Sequence, residues 1–268
     1  MKKSNSGYIY VASLNPLYYE LAILSARSLK DLHPESHVTL FTHDRFVDDR
    51  AEQLFDSIVT NIPVHRRAKM WCMARTPYDQ TFYNDCDSFI VHPDIGKVFD
   101  NLDDKIHMTK NLVYTVSQRE LEYIDKDRKF FPYFHGAVAW YQKNDANIDF
   151  IDTWWRAYVK QLYSPWPHGD WADKIWRGFD MFTLWSMLNN FYPEYSKFEG
   201  RVVEGDRRFN CVLPEGKQAE SVKSPVVYQI PRTNYFNFNY WPNIARKLEN
   251  VPTYNDKYYD SEDSIEFK

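Results

Sequence analysis

Residues 78 to 91 read Tyr78-Asp79-Gln80-Thr81-Phe82-Tyr83-Asn84-Asp85-Cys86-Asp87-Ser88-Phe89-Ile90-Val91, two short apolar runs parted by two acids with a single residue between them. Aromatic and β-branched runs of this length predict strands, so the acids stand at a corner between one strand and the next. Side chains alternate faces in an extended segment, which predicts that Asp85 and Asp87 point the same way while Cys86 turns into the packed side. Two aligned carboxylates repel unless a cation sits between them. Their hard oxygens suit Mg²⁺ or Mn²⁺, and an ion held by few protein ligands keeps positions open for substrate phosphates. A solvated acidic turn is the competing reading, and the apolar runs on both sides weigh against it.

Upstream, Tyr8-Ile9-Tyr10-Val11-Ala12-Ser13 is a β-rich run, broken at Leu14-Asn15-Pro16 before a helical pattern from Leu17 to Leu32. His37 to Thr42 and Ile58-Val59-Thr60 predict two further strands, with a loop and helix from Asp44 to Phe55 between them. That alternation predicts βαβ crossovers, hence an α/β domain with a mostly parallel central sheet flanked by helices. Ser13 and Asn15 fall at the carboxyl end of the first strand, where such sheets bind ligands; turn and N-cap chemistry would place the same residue types there. No Gly-x-Gly-x-x-Gly follows the strand, which counts against a dinucleotide fold and a Walker-type phosphate loop.

Val64 to Met73 is a basic turn leading into an apolar-faced helix. Cations ahead of a carboxylate pair are what a diphosphate needs, because a metal neutralises only part of its charge. Lys69 is the preferred donor, whereas Arg66 and Arg67 fit an ordinary solvated helix turn. Past Val91 a polar connector runs to Lys105, Ile106 to Met108 and Leu112 to Val116 predict short strands, and Leu121 to Lys129 a surface excursion. Phe130 to Tyr141 restores a strand entered through His135-Gly136, where a glycine would permit close approach of backbone to a ligand. Ile148 to Leu162 predicts an amphipathic helix with Trp154 and Trp155 in the core, and Ser164 to Trp171 a rigid aromatic loop that stacks on an acceptor sugar or packs on itself. Asp180 sits in the first turn of a helix reaching Leu188, where an acid is also good capping chemistry. Arg207 to Pro214 and Pro225 to Arg232 close the sheet region. No repeat or flexible linker divides the chain, so 1–233 is taken as one domain and 234–268 as an extension packed on it, ending in an acidic tail.

A chain of 268 residues can bury a full core. The aromatic fraction of 18% exceeds what packing needs and favours a sugar or nucleotide ligand. The net charge of -4, with both signs dispersed, argues against nucleic acid held by a general basic surface. Cys72, Cys86 and Cys211 have no zinc spacing and no even pairing, which fits a reducing compartment. With no apolar stretch of spanning length and no small-residue cleavage site behind the basic N-terminus, the expectation is a cytoplasmic protein without a membrane span.

Taken in order from Tyr8 to about Arg232, these motifs resemble the GT-A class of nucleotide-sugar glycosyltransferases, most closely the glycogenin and lipopolysaccharide glycosyltransferase-like families. The resemblance implies a single GT-A (Rossmann-like) domain. It implies that Val11, Ala12 and Ser13 receive the base, with Tyr18 on a helix closing in Ser28-Leu29, and that Lys69 holds the donor ahead of the Asp85/Asp87 pair. His135-Gly136 resembles the Asn-x-Gly entry of a later strand, with His135 in place of the usual polar residue. Asp180-Met181 resembles an Asp-Gln pair near the sugar, with Met181 in place of Gln. The late His that completes metal binding in relatives has no unambiguous counterpart near Tyr228-Gln229, and the resemblance implies Gln229 there as third ligand beside Asp85 and Asp87.

The implied activity is transfer of a sugar from a nucleoside-diphosphate sugar, UDP-sugar favoured, to a hydroxyl on a glycan, protein or other acceptor, with Mn²⁺ or Mg²⁺ on the diphosphate and retention of configuration. Lys69 and the metal would stabilise the departing diphosphate, and Asp180 would touch the sugar or the incoming hydroxyl. Three alternatives compete. A nucleotidyltransferase would need a glycine-rich basic loop after the first strand, and Leu14-Asn15-Pro16-Leu17 is not one. A carbohydrate-binding protein without turnover would share the aromatic load. A nucleic-acid acceptor is disfavoured, Arg201, Arg207 and Arg208 being the only modest basic candidates.

Overall fold

The structure is a computed structural model and describes residues 5–100, 102–110, 134–163, 180–189, 193–212 and 224–229. Among these, seven strands form one sheet in the order β3-β2-β1-β4-β7-β6-β8. Central β1 (Ser6–Val11) pairs in parallel with β2 (Val38–Phe41) on one side and β4 (Gln80–Asn84) on the other, and β3 (Ser57–Val59) extends the parallel half beyond β2. Past β4 the direction reverses: β7 (Phe134–Gln142) is antiparallel to β4, and β6 (Ile106–Lys110) is antiparallel to β7. β8 (Val202–Glu204) closes the edge in parallel with β6. A smaller sheet joins β5 (Ser88–Ile90), β10 (Val227–Gln229) and β9 (Cys211–Val212) in the order β5-β10-β9.

Local chemistry sets the element ends. Helix α1 (Pro16–Leu32) starts where Asn15, in extended backbone, accepts from the Leu17 N–H at 2.8 Å, and Pro16 supplies a preset φ where no N–H is needed. It stops at His33, whose N–H donates to Leu29. Both sheet faces are covered, which is why the strands are apolar almost throughout. Tyr8, Tyr10, Phe82 and Trp140 pack beneath α1 and against the small sheet. Ile9, Tyr83, Met108 and Tyr141 pack on the other face, under α3 (Lys69–Met73), α4 (Asp145–Tyr163) and α5 (Asp180–Leu188). Trp154 and Trp155 belong to this second core, as their place on the amphipathic helix predicts.

The connector after Val91 is more ordered than its polarity predicts: Pro93–Phe99 is a 3-10 helix because Ile95 and Val98 bury under α1's end of the core. The helix after the basic turn is short, and only Lys69–Met73 is α-helical. Helix α2 (Asp49–Leu54) lies between β2 and β3 as expected. The predicted strand Leu112 to Val116, the excursion Leu121 to Lys129, the aromatic loop Ser164 to Trp171 and the extension 234–268 lie outside the described residues. No described helix is long and apolar enough to cross a membrane.

Candidate active site

The acid pair sits where the main sheet hands the chain to the small one. β4 ends at Asn84, and residues 85 to 88 form a tight turn closed by the Ser88 N–H on the Asp85 carbonyl at 3.0 Å. The predicted extended geometry is therefore corrected to a turn. Cys86 is buried and both acids are partly exposed, because the Cys86 thiol is drawn inward to the Val11 carbonyl at 3.2 Å. Beneath the turn, the Ser88 carbonyl accepts from buried Asn84 at 2.8 Å and from the Ser25 hydroxyl of α1. Asn84 also reaches the Ser25 hydroxyl at 3.1 Å. The acids thus stand on a turn pinned from below by fully buried polar groups, which holds their backbone in one place.

From this turn an alternating chain of charges runs into the protein. Tyr83 donates its hydroxyl to Asp85, and Lys69 Nζ lies 3.6 Å from the same carboxylate. Lys69 donates to the Gly136 carbonyl at 2.8 Å and sits 3.3 Å from Asp180 Oδ2. Arg67 Nε takes the other oxygen of Asp180 at 3.1 Å. Along the chain Asp85 is 24% exposed, Lys69 8%, Asp180 1% and Arg67 29%, so it runs from the surface to a buried carboxylate and back toward solvent at Arg67. Both contacts to Asp180 are at ion-pair distance, one cation to each carboxylate oxygen. Burial pushes the Asp180 carboxyl up, but Arg67 and Lys69 outweigh it and hold it at about 2. At Asp85 burial prevails over Lys69 and Tyr83 and leaves the carboxyl above its usual range. Burial alone would lower the Lys69 ammonium; the two carboxylates raise it instead, so it stays charged.

Arg67 is the residue that sequence reasoning misplaced. A basic turn before a helix reads as a solvated face, but α5 brings Asp180 over it, a contact separated by more than a hundred positions in the chain. The turn is shaped by His65, whose Nδ1 accepts from the Arg67 N–H at 3.0 Å. Burial, reinforced by Arg66 and Arg67, pulls the His65 imidazole down to about 4 and keeps it neutral.

Gly136 stands among the protein's own groups. A Cβ there would lie 2.9 Å from Met181 Sδ, 3.3 Å from Trp154 and 3.5 Å from Lys69 Nζ, so the missing side chain makes room for the protein's own groups. Its N–H donates to Met181 Sδ at 3.1 Å. His135 is half-buried, with Nδ1 2.9 Å from Asn210 Nδ2, and burial together with Lys69 lowers its imidazole to about 4. Trp154 donates its ring N–H to the Asp180 carbonyl at 3.0 Å, which fixes the start of α5.

At the carboxyl end of β1, Asn15 is the α1 cap, and the Ser13 hydroxyl lies 3.0 Å from His43 Nε2, 3.2 Å from the Pro63 carbonyl and 3.3 Å from the His65 N–H. The Ala12 N–H donates to Phe41, and its carbonyl accepts from Thr42. Val11 gives its carbonyl to Cys86, and half-buried Tyr18 lies within electrostatic reach of Arg67. Ser13 thus joins β1 to the loop carrying His65 and Arg67. Between Ser13 and Asn15, Leu14 adopts a φ of 66°, a region a bulky residue rarely occupies, and Arg45 holds its carbonyl at 3.2 Å. No sequence signal marks that conformation, since the usual glycine or asparagine is absent. A cavity of about 520 Å³ lined by Asn5, Tyr8, His33, Glu35 and His37 lies at the opposite, amino end of β1, away from this cluster.

Gln229, on β10, donates its side-chain amide to Asp87 Oδ1 at 3.5 Å. The small sheet therefore brings the third predicted metal ligand beside the acid pair across a separation of 142 positions. Among the described residues no three His, Cys, Asp or Glu side chains group as a metal site, so a cation here would rely on the Gln229 amide oxygen, water and substrate beside Asp85 and Asp87. That all-oxygen, partly exposed set fits Mg²⁺ or Mn²⁺ and not zinc.

The fold defines a class. The galactosyltransferase LgtC, solved in complex with donor and acceptor sugar analogs, superposes with a TM-score of 0.55 at 12% identity, covering 94% of this chain and 99% of LgtC. The glycosyltransferase GlyE of Streptococcus pneumoniae TIGR4 gives a TM-score of 0.54 at 12% identity over 84% of this chain and 54% of its own. The bifunctional glycosyltransferase WbbM gives 0.54 at 11% over 85% of this chain and 46% of its own. No family model matches the sequence, and no curated protein is similar enough to match it. The chain has the fold of the GT-A glycosyltransferases.

Proposed function

We propose that this protein is a metal-dependent glycosyltransferase that moves a sugar from a nucleoside-diphosphate sugar, UDP-sugar favoured, to a hydroxyl acceptor with retention of configuration. The observation that carries the proposal is Lys69, a charged ammonium set between Asp85 on the acid turn and buried Asp180 in a GT-A fold. Asp85, Asp87 and Gln229 would hold Mn²⁺ or Mg²⁺, which when bound neutralises charge on the departing diphosphate. Lys69 would add a fixed positive charge at the same place, already desolvated and oriented by the Gly136 carbonyl, so little reorganisation is needed as charge develops. Val11 at the end of β1, with Ala12 and Ser13 after it, would form the wall that receives the base, and Tyr18 would flank it. Asp180, ionised at every physiological pH, cannot donate a proton; it would accept a hydrogen bond from the sugar or the incoming hydroxyl and orient it.

The test is nucleoside diphosphate release from a panel of nucleotide sugars, with and without Mn²⁺. Metal-dependent release by the native protein, lost in Asp87→Asn, is the expected result. Sugar binding with no release under any metal condition would replace the enzyme by a binding protein.

A further inference from the structure

Within the charged cluster, two cations face two carboxylates, and both cations touch the same one. Lys69 is shared among Asp85, Asp180 and the Gly136 carbonyl, while Arg67 addresses only Asp180 among these. A diphosphate arriving at the acid turn needs the Lys69 charge. If Lys69 alone balanced Asp180, giving that charge up would strand a carboxylate that is 1% exposed, which a protein interior resists strongly. Arg67 removes that obstacle because its Nε already lies 3.1 Å from the opposite oxygen of Asp180.

We propose that Arg67 is a positioning residue that neutralises Asp180 so that Lys69 is available to the diphosphate, and that Arg67 does not itself touch the ligand. The proposal rests on the diphosphate-binding role given above to Lys69. The position of Arg67 supports it: its backbone N–H is held by the His65 imidazole, and its Nε is buried against Asp180 at the start of α5. Lys69 Nζ carries three donors, of which one is held by the Gly136 carbonyl, so another can turn to a ligand while that bond is kept.

The experiment is a binding cycle with inorganic pyrophosphate in the presence of Mg²⁺, read by calorimetry, which probes the diphosphate whatever the base. Lys69→Met should weaken binding roughly tenfold to a hundredfold, the worth of one charged contact. Arg67→Met should weaken it as much, the double variant no more than either, and Arg67→Lys should recover most of it. The deciding variant is Arg67→Met with Asp180→Asn, which removes the buried charge along with its partner. It also avoids the unpaired buried carboxylate that could prevent Arg67→Met from folding. Binding by this pair should return to within a few-fold of the native protein. If the pair stays as weak as Arg67→Met, or if the Arg67 and Lys69 losses add, Arg67 is a direct ligand and the proposal fails. It fails equally if Arg67→Met binds like the native protein. Absence of pyrophosphate binding by the native protein would instead refute the diphosphate site on which the proposal stands.

Discussion

Replacing Asp180 by Asn should destabilise the protein at neutral pH by an amount that shrinks on acidification. The carboxyl drops from its ordinary 3.8 to about 2 on folding. By linkage, a shift of that size contributes roughly 2 kcal/mol of stability at pH 7. A carboxylate with a lowered folded value contributes fully above its unfolded value and loses that contribution as pH falls through the folded one, so about half should remain at pH 3. A second cost comes from the cations left behind. Truncating one side of a buried ion pair typically costs about 3–5 kcal/mol. Lys69 keeps Asp85 and Gly136, and Arg67 is 29% open to water, so this part is reduced and a total of about 2–4 kcal/mol is expected. Urea unfolding of native protein and variant at pH 7, 5 and 3 reads both the gap and its decline. A gap below about 0.5 kcal/mol at pH 7, or one that stays constant down to pH 3, would falsify the assignment of Asp180 as the ionised centre of the cluster.

Other consequences can be checked with the same material. Gly136→Ala places a Cβ 2.9 Å from Met181 Sδ and close to Lys69, so it should cost about 1–3 kcal/mol by overpacking, and Met181→Ala in the same chain should recover part of it in chemical denaturation. His65 and His135 are both held neutral, at about 4 against an ordinary 6.5, so folding stability should be full above pH 6.5 and fall as pH drops toward 4. With two protons taken up on unfolding, the limiting slope is about 2.7 kcal/mol per pH unit, and His65→Gln should halve it in a series of melts across that window. Asp87→Asn sits on a partly exposed turn and should leave stability within about 0.5 kcal/mol of native while abolishing Mn²⁺ binding followed by paramagnetic resonance. Retention of Mn²⁺ by that variant would move the metal away from the turn.

Periodicity and turn chemistry along the chain determine a good deal of this protein. The β-rich run at Tyr8, the Asn15-Pro16 start of α1, the amphipathic α4 and the two apolar runs around Asp85 and Asp87 are local signals, and each produced the element it predicts. The partly exposed acids and the buried Cys86 between them followed from the same pattern, although the backbone there is a turn. Long-range pairing was not legible. Arg67 looked like solvent-facing charge until α5 laid Asp180 across it, and no local signal told that Met181 and Lys69 would crowd Gly136. That Gln229 neighbours Asp87 was implied by the family resemblance alone and is produced by the pairing of β10 with β5, and Ser25 and Asn84 became the floor of the turn only because α1 crosses beneath it. The physical reason is range: hydrogen bonding and hydrophobic period act over a few residues and are written along the chain, whereas the balance of buried charges depends on which distant segments the sheet order brings within a few ångströms.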